Sequence, residues 1–133
     1  MTRSWPETGR VRTRLDAIAL ALPGVEAEDA YGHRSYLLKG KRLAWQLVDH
    51  HGDDRLALWV KAPPGEQQAL VDAEPERYFV PPYLGPSGWV GVLLDDRSRP
   101  DWDQVAELLE QAWRMSAGKR AVAAYDAARR PPT

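Results

Sequence analysis

The stretch from Arg77 to Leu94 (RYFVPPYLGPSGWVGVLL) constrains the fold more than any other. Pro81 and Pro82 lock φ and donate no backbone hydrogen bond, and Pro82 drives Pro81 into an extended conformation. The segment is therefore no helix, and it cannot run inside a sheet until Pro86 is passed. From Trp89 to Leu94 the chain is apolar on both faces, the pattern of a strand covered on both sides. An extended, proline-stiffened arm thus leads into a strand expected inside the sheet.

The remaining segments supply that sheet and its cover. Residues 8–22 read as a helix that Thr8 can cap. Val11, Leu15, Ile18 and Leu22 share one face, Arg10, Arg12 and Arg14 fall off it, and Pro23-Gly24 ends it. Glu26 to Ala30 is a short acidic edge strand, followed by a turn at Tyr31-Gly32-His33-Arg34. Three strands are expected over 35–39, 42–48 and 55–62, the first two joined by a two-residue loop at Gly40-Lys41. Glu66 to Ala73 suits a short helix. Asp101 with Gln104 forms a capping-box pattern before a helix running to about Ala117. Gly118 breaks that helix, Lys119–Arg129 is alanine-rich and helical, and Arg130 to Thr133 is frayed. The order describes an α+β fold, an antiparallel β-sheet with N- and C-terminal helices packed on one face. By length it is a single domain, 1–133, with a core of about 8–120 and a C-terminal extension over 121–133.

Simple hairpins predict a register. Lys39 pairs with Arg42 and Val48 with Arg55, so Tyr36 opposes Trp45 and Trp45 opposes Leu58. One face then carries Tyr36, Leu38, Leu43, Trp45, Leu47, Leu56, Leu58 and Val60. The other carries Leu37, Lys39, Arg42, Ala44, Gln46, Ala57, Trp59 and Lys61.

Composition narrows the function. Net charge is −1, which gives the whole molecule no strong pull on nucleic acid or anionic lipid. The chain has no cysteine, hence no disulfide, thiolate nucleophile or Cys-based zinc site. With no apolar run of membrane-spanning length and no signal-peptide core, a cytoplasmic protein with no membrane association is expected. Basic residues gather near the ends, at Arg3, Arg10, Arg12 and Arg14 and at Arg114, Lys119, Arg120, Arg129 and Arg130. They are either solvated surface charge or two clusters converging on one anion-binding face.

Several motifs in order resemble the MmcQ/YjbR family of small bacterial proteins. They are Leu22-Pro23-Gly24-Val25-Glu26, Gly40-Lys41-Arg42-Leu43-Ala44, Leu58-Trp59-Val60-Lys61, Tyr83 to Val90, and Trp113 to Ser116 at the end of the C-terminal helix. The resemblance covers roughly residues 11–120. It implies a frataxin/CyaY-like α-β-sandwich and a DNA-binding label, and it brings no catalytic residues. Frataxins carry an acidic ridge on the first helix; here that helix carries Arg10, Arg12 and Arg14, so iron is not implied.

The residues assemble no catalytic constellation. No serine sits in a GxSxG elbow, Gly85-Pro86-Ser87-Gly88 lacks a P-loop lysine, and Asp49, His50, His51, Asp53 and Asp54 read as a solvated loop rather than a metal site. A non-enzymatic binding domain without cofactor, monomeric, is expected. Its leading reading is weak, salt-sensitive DNA binding through Lys39, Arg42, Trp59 and Lys61 with Arg10 and Arg14. For Trp59 the alternative is cover by Lys119–Arg129. A second reading is a small-molecule or peptide site in an aromatic cleft of Tyr31, His33, Tyr83 and Trp89. A third is a protein-interaction module.

Overall fold

Val11, Leu15 and Ala19 form the stripe that the first helix, α1 (Thr8–Ala19), buries. The computed structural model describes residues 5–131; Arg3 and the end of the expected frayed tail, Pro132-Thr133, lie outside them. Thr8 is the first helical residue rather than the cap, and its hydroxyl donates to the Trp5 carbonyl. After Pro23-Gly24 come β1 (Val25–Ala30), β2 (His33–Leu38), β3 (Lys41–Val48) and β4 (Leu56–Val60). Then follow α2 (Glu66–Ala73), β5 (Tyr78–Phe79), β6 (Val90–Leu93), α3 (Trp102–Ala117) and α4 (Lys119–Arg129). The strands form one antiparallel sheet in the order β1-β2-β3-β4-β6-β5. β6 therefore lies inside the sheet, as its two apolar faces require, and the short acidic β1 lies at an edge.

α1 and α3 cover one sheet face. Val105, Leu108, Leu109, Ala112 and Trp113 of α3 meet Val11 and Leu15 of α1 over Tyr36, Ala44, Leu58, Val60 and Val92. Asp101 caps α3 by accepting from the backbone N–H groups of Asp103 and Gln104. Gly118, at φ 91, ends it and lets α4 turn back on α3. There Tyr125 packs on Trp113, and Arg114 bridges Glu110 and Asp126.

The sheet departs from the expected register at two points. The β2–β3 loop is Lys39-Gly40, both left-handed, as a tight type I′ hairpin demands, and Leu38 pairs with Lys41. A bulge then puts Leu43 and Ala44 of β3 against a single step of β2, so Tyr36 pairs with Ala44 and Ser35 with Trp45. The β3–β4 pairing is one residue off the expected one as well: Trp45 opposes Trp59 and Gln46 opposes Leu58. From Ala44 onward β3 is turned over. Trp45 and Leu47 face away from the helices, and Ala44 and Gln46 face toward them.

A second, smaller cluster results on the helix-free face. Leu47, Ala57, Trp59 and Trp89 are buried, with Trp45, Phe79 and Leu84 packed around them. The proline arm covers part of this face. Gln67 of α2 holds the arm by donating to the carbonyls of Gly85 (2.9 Å) and Trp89 (2.6 Å).

Candidate functional site

Cross-strand pairing lays one row of residues across the helix-free face: Glu28, Ser35, Trp45, Trp59, Gly91 and Phe79. Opposed residues share a face. Trp45 and Trp59 meet edge to face, ring centres 6.0 Å apart. His50, from the β3–β4 loop, closes over both at 5.0 Å from Trp59 and 6.1 Å from Trp45. His33 completes the group, 5.8 Å from Trp45 and 5.6 Å from His50. Burial lowers the pKa of His33 and of His50. Neighbouring histidines lower both further, while Asp53 opposes the shift. Among the described residues no group of three or more His, Asp or Glu is placed to hold a metal ion.

Two guanidiniums flank this aromatic group. Arg42 lies 4.4 Å from the Trp45 ring centre and donates from Nε to Ser35 Oγ. Arg55 lies 4.0 Å from the ring centre of Phe79. Neither meets a carboxylate among the described residues. Most arginines elsewhere are neutralised or stacked: Arg10 on Asp96, Arg12 on Asp29, Arg34 on Asp16 and Asp29, and Arg77 on Glu74. Glu26 and Glu28 make the β1 edge of the same face acidic.

The expected nucleic-acid patch does not form as one surface. Trp59 is 1% exposed and cannot stack on a base. Its cover is Trp45, His50, Trp89, Leu84 and Phe79, not α4, which lies on α3. Lys61 points to the helices, its Nζ 3.4 Å from Ser116 Oγ of α3. Arg10 is held by Asp96, and Arg14 stacks on Trp102 of α3 at 4.6 Å. Lys39 sits in the exposed β2–β3 turn. Of the five cationic residues, Arg42 alone is joined to the aromatic face.

The expected aromatic cleft is not assembled either. Tyr31 (97% exposed) and Tyr83 (81%) stand out from turns in which both are left-handed, whereas Trp89 is 8% exposed inside the second cluster. The cavity that includes His33 is lined by none of the other three. Sequence reasoning missed Trp45, Arg55 and His50 as members of the aromatic face. The bulge that turns Trp45 over has no signature in the residues, but a loop histidine following a strand tryptophan was a usable hint.

A polar framework ties α1 to the β1–β2 hairpin. Asp16 accepts from Arg34 Nε (2.7 Å) and NH2 (3.0 Å) and from the Tyr36 hydroxyl (2.7 Å). Burial and the Asp16 carboxylate push the Tyr36 hydroxyl well above its ordinary pKa. Asp29 bridges Arg34 and Arg12, and their hydrogen bonds hold its carboxyl below the usual carboxylate range.

The chain matches the family model for YjbR over residues 20–115. Among solved structures it is similar to Deinococcus radiodurans protein DR2400, whose domain is DUF419. The TM-score is 0.64 at 21% identity, over 79% of this chain and 77% of that one. At that identity the likeness carries the α+β fold alone. No curated protein matches. No helix among the described residues is long and apolar enough to cross a membrane.

Proposed function

We propose a binding role for this chain, which belongs to the YjbR family: its helix-free sheet face contacts DNA, single strands first, in a weak and salt-sensitive manner. The observation that carries this reading is the pair Arg42 and Arg55. Each is stacked on an aromatic ring, and neither is neutralised by a carboxylate among the described residues. A guanidinium held flat against a ring keeps edge N–H groups for phosphate oxygens and offers its plane to a base. Trp45, half-buried beside Arg42, adds a π surface. The acidic β1 edge turns a polyanion away, so its path runs across β3 and β4 along the aromatic row, from Arg42 beside Ser35 and Trp45 to Arg55 on Phe79. From Ser35 on β2 to Gly91 on β6, at ~4.8 Å between neighbouring strands, that path is ~14 Å long. The absence of cysteine suits a reducing compartment such as the cytoplasm.

Fluorescence anisotropy with a labelled single-stranded oligonucleotide tests this. Two phosphate contacts predict that log K falls with log salt at a slope near −1.4, about −0.7 per contact. Arg42→Ala with Arg55→Ala should abolish most of the affinity and flatten the slope. No saturable binding at low salt, or binding unchanged in the double variant, refutes the reading.

A further inference from the structure

A cavity of about 210 Å³ opens between the N-terminal half of α1, the β1–β2 turn and the end of β3. Its walls include Thr8 and Arg12 of α1, Asp29 of β1, His33 and Arg34 of β2, and Gln46 of β3. It lies apart from Arg42 and Arg55.

Gln46 is the unexpected member. It sits on the core-facing side of β3, opposite Leu58, and is 3% exposed. Its Nε2 is buried and has no hydrogen-bond partner among the described residues. A buried amide without a partner costs stability, and a strand position between the sheet and a helix layer is ordinarily apolar. A glutamine here is accounted for by an acceptor that arrives with a ligand. His33 Nδ1, on the same cavity, is likewise buried without a partner.

The charges in the walls define that ligand. Arg12 and Arg34 supply two positive charges; Asp29 beside them in the walls and Asp16, outside the cavity but paired to Arg34, balance them. A balanced site does not favour a polyanion. It suits a molecule that carries its own balanced pair, an acceptor group for Gln46 and the guanidiniums and a donor group for Asp29. Asp29 is about half exposed, so it can turn to meet a second cation. The volume of about 210 Å³, close to seven waters at ~30 Å³ each, matches an occupant of about the size of a small amino acid.

We propose that this cavity binds a small zwitterion of the α-amino-acid type, with its carboxylate toward Gln46 and Arg12 and its ammonium toward Asp29. The test is a thermal-melt and NMR titration of the full chain. The probes are glycine, alanine and serine, with propionate, ethylamine and inorganic phosphate as single-charge controls. At about tenfold excess over Kd the zwitterion should raise the melting temperature by about 4 °C and shift the His33 ring resonances. The controls should do neither. Gln46→Leu should melt no lower than the parent protein, because it removes an unpaired amide, and should lose the response. The proposal is overturned if no zwitterion moves either signal, if propionate or phosphate acts as strongly, or if Gln46→Leu keeps the response. It is also overturned if Gln46→Leu melts far below the parent, which would mean the amide is already partnered in the free protein.

Discussion

Gly91→Ala tests how the proline arm and the aromatic face are joined. Gly91 lies on β6 between Trp59 of β4 and Phe79 of β5. Its backbone is one that any residue can adopt, so the argument rests on space alone. A Cβ placed there would come within 2.4 Å of two Phe79 ring atoms and 2.6 Å of a third. The ring fills the place a side chain would take, so it must tilt away and give up packing on the Trp59 cluster and on Arg55. Forcing a methyl into a filled site costs about 1–3 kcal/mol. The alanine restricts the unfolded chain, which returns about 0.4–1 kcal/mol. The net is a loss of about 1–2 kcal/mol, or a fall of about 4–8 °C in melting temperature. Urea unfolding followed by tryptophan fluorescence reads it directly, and the midpoint should fall by about 0.5–1 M. In a Phe79→Leu background the same substitution should cost under about 0.5 kcal/mol, because the clashing ring is gone. A neutral or stabilising Gly91→Ala, or an equal cost in both backgrounds, would refute the reasoning.

Two further outcomes follow from the charged groups. Asp16→Ala should cost about 2–4 kcal/mol in urea unfolding, since it leaves the buried Tyr36 hydroxyl without its acceptor and Arg34 with Asp29 alone. Arg10→Ala, which removes only the exposed pair with Asp96, should cost less than about 1 kcal/mol. The histidines predict an acid-side loss of stability. Folding holds His33 and His50 below their ordinary pKa, so the unfolded chain takes up protons first as pH falls through about 6.5. Their contribution is complete above that value and declines below it, down to the depressed folded values. Melting temperatures from pH 7.5 to 5 should show this decline, and His33→Gln with His50→Gln should flatten it. A decline identical in the variant contradicts the assignment.

Local chemistry made much of this fold legible. Two prolines and the doubly apolar run after them marked β6 as an inner strand. Asp101 with Gln104 marked the start of α3, and Glu66 to Ala73 is the span that α2 occupies. The register of β3 was not legible. Leu43, Ala44, Gln46 and Leu47 are all buried, so period two carries no information about which face is which. The bulge at Leu43 then decides which way Trp45 points, and with it which tryptophan flanks Arg42. β5 is only two residues long and follows from its pairing with β6, not from any pattern of its own. The Asp16 framework joins residues far apart in the chain, so spacing could not reveal it. Gln46 was expected on the mixed face with Trp59, and the bulge turns it to the core side instead.

If DNA lies on the helix-free face as proposed, the helical face stays clear of it. A titration of ¹⁵N-tryptophan-labelled protein with a single-stranded oligonucleotide at low salt tests it most directly. Trp45 reports the face beside Arg42, and Trp113, whose indole N–H donates to the Pro23 carbonyl at 2.8 Å, reports the helical side. The Trp45 indole resonance should move and then saturate while those of Trp113 and Trp102 stay in place. Movement of Trp102 or Trp113 with a stationary Trp45 would contradict it.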